Sequence, residues 1–132
     1  MKELTFSGVD AIAHLASPIG FHFQDLEGTL GIAVGGTVSV LESAMKSPSV
    51  KSVTVLSSIA AIASQGPKEG PFTEDDWNTA GLELAKKLGD TAPGPLIYAA
   101  SKTAAELAFW QFRDERSPKF SMSAVNPRYV AP

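Results

Sequence analysis

The sequence predicts an α/β domain built on a parallel sheet. Three observations carry that prediction. Short apolar runs near residues 10–15, 51–56 and 120–125 have the length of strands. Longer segments near 26–46 and 96–116 repeat apolar residues at helical spacing. Strand, helix and strand then alternate with short connections, which is the pattern of right-handed βαβ units. The 132 residues suit one domain, taken as residues 1–132.

Each element has its own signals. Gly8-Val9-Asp10 marks a turn, and Ala11-Ile12-Ala13-His14-Leu15-Ala16 reads as a buried parallel strand broken by Ser17-Pro18. Ligands of such sheets gather at the carboxyl ends of strands, where Ala16, Ser17 and Pro18 would let one approach the backbone. Asp25 is a suitable N-cap for a helix running to about Met45, with Leu30, Val34, Val38, Leu41 and Ala44 along one face. Gly28, Gly31, Gly35 and Gly36 fall inside it. An interior glycine costs about 1 kcal/mol against alanine, so close approach of this helix to the sheet or to a ligand is expected. These glycines lie within the helix and not between strand and helix, so they form no phosphate-binding fingerprint. Val50 to Leu56 is a strand rich in β-branched residues, ending in Ser57-Ser58.

Residues 63–95 turn polar and rich in glycine and proline. Phe72 to Trp77 reads as a capped turn of helix and Leu82 to Leu88 as a further short helix, inside a long excursion of the kind that forms lids or binding loops. The next helix presents Ala100, Ala104, Leu107 and Ala108 as a small-residue face. Its Phe109, Trp110 and Phe112 would fill either the core or a subunit interface. Ser117-Pro118 stops it, Phe120 to Val125 is the last strand, and Asn126-Pro127-Arg128-Tyr129-Val130 leaves that strand's carboxyl end.

Composition excludes several chemistries. The absence of cysteine removes disulfides, thiolate metal sites and a cysteine nucleophile. His14 and His22 are the only histidines and have no carboxylates at ligand spacing, so neither a metal site nor a serine–histidine–aspartate triad is expected. A net charge of -3 gives no reason to expect a nucleic-acid partner. The N-terminus lacks the apolar core of a signal peptide, and no apolar run reads as long enough to span a membrane, which favours a cytoplasmic protein.

The chemistry rests on Tyr98 and Lys102. Residues four apart on a helix share a face. A cation beside a phenol favours the phenolate and makes the pair a proton donor usable near neutral pH. Tyr-x-x-x-Lys alone is a weak signal, and the order of what surrounds it makes it specific. A strand ends in Ser57-Ser58, Tyr98 follows 40 residues after Ser58, and a later strand ends in Asn126-Pro127-x-x-Val130.

This constellation resembles the extended branch of the short-chain dehydrogenase/reductase superfamily. His14-Leu15-Ala16-Ser17-Pro18, Ala33-Val34-Gly35-Gly36-Thr37 and Asp76-Trp77-Asn78 make it most similar to the dihydroflavonol-reductase-like fungal ketoreductases and aldehyde reductases. The resemblance implies a partial Rossmann-type, doubly wound parallel sheet that binds NADP, with NAD as the other choice. It implies reduction of a small ketone or aldehyde. Tyr98 would be the general acid, Lys102 its electrostatic partner and a ligand of the nicotinamide ribose, and Ser58 the group holding the substrate oxygen, with Ser57 the alternative register. Ala16, Ser17 and Pro18, together with Ser57, Pro127 and Val130, would line the cofactor. An epimerase or dehydratase of the same superfamily shares these residues and is the enzymatic alternative.

The family begins with strand, Gly-x-x-Gly-x-x-Gly and helix, and no such motif precedes residue 10. Ala33 stands where many extended members carry asparagine, and Val130-Ala131-Pro132 matches the family's Val-x-Gly-Pro only approximately. The chain therefore reads as a central fragment of low or no activity, and a non-catalytic interaction module is the remaining alternative. Its first strand is expected to be an open edge prone to self-association.

Overall fold

The computed structural model describes residues 6–19, 23–64 and 68–128. Strand β1 (Ala11–His14) leads to helix α1 (Leu26–Met45) and strand β2 (Ser52–Leu56). A 3-10 turn (Ile59–Ala61), helix α2 (Thr79–Leu88) and a second 3-10 turn (Gly89–Thr91) precede the long helix α3 (Gly94–Arg116) and strand β3 (Ser121–Val125). The strands lie in the order β1-β2-β3, all parallel, with Val53 opposite both Ile12 and Met122. This is the predicted parallel α/β arrangement, with every main element within about two residues of its expected bounds.

α1 and α3 pack side by side over one face of the sheet. Leu41 and Ala44 of α1 and Phe109 and Phe112 of α3 meet Val53 and Val55 of β2 in the main core, closed by Phe120. The aromatic residues of α3 thus divide: Phe109 and Phe112 are core, and Trp110 is partly buried against it. A second cluster joins Leu26 to Leu82, Ala85, Ile97 and Ala100, where α2 packs on the first turns of α3.

The opposite sheet face carries Ala11, Ala13, Ser52, Thr54, Ser121 and Ser123, and no helix among the described residues covers it. Small and hydroxyl side chains line it, and Thr54 Oγ1 lies 2.8 Å from Ser123 Oγ. The expectation of a buried strand at residues 10–15 is corrected here. Its apolar run looked continuous, but β1 pairs on one side only, so Ala11 and Ala13 are exposed and Ile12 and His14 half-buried.

The glycines of α1 also behave differently from expectation. A Cβ at Gly31 or Gly36 would meet nothing within 4 Å, and at Gly28 it would meet only the Asp25 carboxylate. Close approach to the sheet is therefore not the reason for these three. Gly28 leaves room for the cap, in which Asp25 Oδ1 accepts from the Gly28 N–H at 2.9 Å. The expectation that no apolar run is long enough to span a membrane is also corrected: α1 is long and apolar enough by length and composition. It packs instead by one face, through Leu26, Ala33, Val40, Leu41 and Ala44.

Phe72 to Trp77 is not helical. Asp76 Oδ2 accepts from the Thr73 N–H at 2.7 Å and from Lys68 Nζ at 2.5 Å, closing a loop. α2 starts only at Thr79, where Asn78 caps it through the Gly81 N–H at 3.0 Å.

Candidate active site

Two strand ends and one helix face build the site. α3 begins after Pro93, with Pro95 in its first turn, where a missing N–H costs no hydrogen bond. Tyr98 and Lys102 follow one turn apart, with Lys102 Nζ 5.9 Å from the centre of the Tyr98 ring. Tyr98 is half-buried, whereas Lys102 is only 6% exposed. Lys102 Nζ donates to the Leu56 carbonyl at 3.3 Å, which fixes the ammonium at the carboxyl end of β2. Burial pushes its pKa below the ordinary lysine value, because the charged form has lost water.

Lys102, Ala16, Ser17 and Ser57 line one narrow cleft, with His14 and Thr37 beside them. The structure thus brings together the ends of β1 and β2 and the lysine of α3. His14 was not a predicted site residue. Burial first, and the Lys102 charge second, push its pKa below the usual histidine value.

The two serines separate. Ser57 Oγ turns into the protein and donates to Glu106 Oε2 at 2.5 Å. Ser58 opens the 3-10 turn, where its Oγ accepts from the Ala60 N–H at 3.1 Å. That bond uses a lone pair and leaves the Ser58 O–H as a donor. The turn it opens packs against α3. Pro127 stands beside Ser58 in the backbone, since its carbonyl accepts from the Ile59 N–H at 3.1 Å. Pro18 follows Ser17 but does not line the narrow cleft, and Val130 lies outside the described residues.

Sequence reasoning missed Glu106, and it named Asn126 and Asn78 only as motif positions without a role in the site. Glu106 accepts from Ser57 and from Asn126 Nδ2, the latter at 2.6 Å. Its spacing was the available signal: Tyr98, Lys102 and Glu106 recur every four residues on one face of α3. Asn78 ties α2 to the turn after Ser58, with its Nδ2 donating to the Ala60 carbonyl at 3.0 Å and its N–H to the Ala61 carbonyl at 2.8 Å. An apolar cleft of about 510 Å³ opens between this turn, α2 and the start of α3, lined by Leu84, Leu88, Leu96 and Ala99 among others. Its lining includes neither Ser58 nor Tyr98.

Comparison with known proteins agrees with this geometry. The model of an NAD-binding family described as male sterility protein matches residues 1–131. Aldehyde reductase 2 of Sporidiobolus salmonicolor is 37% identical over 127 residues, covering 93% of this chain and 37% of that protein. The NADPH-dependent methylglyoxal reductase of Saccharomyces cerevisiae is 38% identical over 130 residues, covering 92% of this chain and 36% of that protein. The crystal structure of the yeast methylglyoxal/isovaleraldehyde reductase complexed with NADPH superposes with a TM-score of 0.78 at 35% identity, over 92% of this chain and 36% of that one. The chain thus spans a little over a third of the length of these relatives. With the family model matching along almost its whole length and the parallel sheet superposing on solved reductases, the chain belongs to the extended short-chain dehydrogenase/reductase superfamily, in the branch of the dihydroflavonol-reductase-like and fungal aldehyde reductases.

Proposed function

We propose that these residues form the catalytic core of an NADPH-dependent reductase of small ketones or aldehydes, within a single NAD(P)-binding domain. The observation that carries this reading is the placement of Tyr98 and Lys102 one turn apart on α3, against the strand end that bears Ser58. The relatives named for NADPH-dependent carbonyl reduction support it.

The site fits the nicotinamide-ribose end of the cofactor. An ammonium carries three N–H donors, and Lys102 spends one on the Leu56 carbonyl among the described residues, inside a cleft lined by Ala16 and Ser17. The remaining donors suit a ribose diol, and Pro127 stands close enough to Ser58 to flank the nicotinamide. Bound NADPH supplies the hydride that converts the carbonyl carbon to an alcohol carbon. As the carbon–oxygen π bond breaks, Tyr98 gives its phenolic proton to the oxygen and solvent later restores it. The Ser58 O–H donates to the same oxygen, so two donors meet the charge where it develops. Lys102 stabilises the phenolate that Tyr98 becomes.

The glycines of α1 lie within the helix and not between a strand and a helix start, so they form no pyrophosphate-binding fingerprint. The 132-residue chain is accordingly proposed to bind NADPH weakly and to turn over slowly by itself. An NADPH fluorescence titration, followed by carbonyl reduction with Tyr98→Phe as control, tests both parts. Loss of reduction in Tyr98→Phe, by about 10² to 10⁴-fold for a general acid, supports the reading. Equal activity of the variant and the parent would remove it.

A further inference from the structure

The mechanism leaves one buried carboxylate unused. Glu106 is 6% exposed, and both of its carboxylate oxygens accept hydrogen bonds. Oε2 accepts from Ser57 Oγ at 2.5 Å and from Asn126 Nδ2 at 2.6 Å, and Oε1 accepts from Trp110 Nε1 at 3.3 Å. The other Asn126 amide hydrogen reaches the Ser58 carbonyl at 3.0 Å. A carboxylate buried on α3 therefore holds the ends of β2 and β3 together, and its partner Asn126 grips the backbone of Ser58 itself. The bonds from the Ser57 N–H to the Val125 carbonyl, at 2.8 Å, and from the Ile59 N–H to the Pro127 carbonyl complete the grip.

We propose that Glu106 is a positioning residue for the reaction. It sits one turn beyond Lys102 and two beyond Tyr98 on the same helix, so one rigid element carries the proton donor, the cation and the anchor of the serine. Through Ser57 and Asn126 it fixes where the Ser58 hydroxyl stands relative to the Tyr98 phenol. Burying a carboxylate is costly unless it is fully hydrogen-bonded, and a core glutamate held this way serves registration of the strand ends better than it serves stability. The inference rests on the reductase reading above, but the tie itself has a readout that needs no turnover.

The test measures amide hydrogen exchange and steady-state kinetics on the full chain with Glu106→Ala and with Glu106→Gln/Trp110→Phe. A glutamine carbonyl can still accept from both Ser57 and Asn126, and removing the Trp110 donor spares its amide a clash of donors. In Glu106→Ala, exchange at the Ser57 and Ile59 amides is expected to rise about tenfold or more by local opening, while Val53 and Val55 stay protected. kcat is expected to fall about 100-fold, the cost of displacing a catalytic group by about 1 Å, with the KM for NADPH unchanged and the double variant restored on both counts. Where Glu106→Ala does not fold, Ser57→Ala reads the same tie. Unchanged exchange at Ser57 and Ile59 would overturn the proposal, as would a kcat loss that the double variant shares in full. A parent chain that reduces no carbonyl would sink the reductase reading instead and leave exchange to judge the tie.

Discussion

Lys102 illustrates how a buried cation costs the fold. Its ammonium is buried with a backbone carbonyl as acceptor, and desolvation lowers its pKa from the ordinary 10.5. Between the folded value and 10.5 the unfolded chain binds more protons, so stability rises with pH through that window. Lys102→Met is therefore expected to raise the melting temperature at pH 7 while abolishing carbonyl reduction. Thermal unfolding beside a reduction assay checks both, and a variant that is less stable and equally active would refute the assignment. His14 follows the same sign at lower pH. Burial and the Lys102 charge lower its pKa from 6.5, so acidification protonates the unfolded chain first and stability falls as pH drops through the window below 6.5. His14→Gln is expected to flatten melting temperature against pH over that range.

At the scale of elements, helix ends hold the arrangement in place. The N-terminus of α1 receives two carboxylates: Asp25 on the Gly28 N–H, and Asp90 on the Leu26 N–H at 3.1 Å. Asp90 belongs to the 3-10 turn Gly89–Thr91 that leads into α3, so this contact also fastens α1 to the start of the Tyr98 helix. Asp25→Ala is expected to cost about 1 kcal/mol in urea unfolding, the usual value of an N-cap. α3 ends with Ser117 at φ 44° and ψ 58°, a left-handed conformation that disfavours any side chain. Ser117→Gly is expected to stabilise by about 1 kcal/mol through relief of that strain. Glu42 and Arg116 join the far ends of α1 and α3 in a two-pronged pair, but both are well exposed and add little.

At the scale of the whole molecule, the described sheet has one covered face and two strands paired on one side only. Leu56 and Val125 stand exposed at strand ends, and Leu15 and Ile19 after β1 are 58% and 78% exposed. Unpaired edges flanked by apolar residues recruit further strands. We therefore expect the isolated chain to associate with itself, as size-exclusion chromatography with light scattering would show. Ala13→Lys places a charge on the exposed side of β1 and is expected to shift the population towards monomer.

The sequence by itself determined the order and approximate bounds of the three strands and the two long helices, the Asp25 cap and the face shared by Tyr98 and Lys102. These are local properties, set by periodicity and by residue types near one another in the chain. It also pointed to the superfamily, because the spacing from Ser58 to Tyr98 to Asn126 is a linear record of a three-dimensional constellation. Only the tertiary structure decided which serine turns inward. Ser57 and Ser58 are neighbours of one type, and a strand sends successive side chains to opposite faces, so their fates depend on what waits on each side. It likewise decided that Gly31 and Gly36 of α1 face open space, and that Glu106 is the buried anchor of two strand ends. The places of Ser57 and Glu106 hinge on contacts between residues 20 to 49 positions apart, which no local pattern encodes.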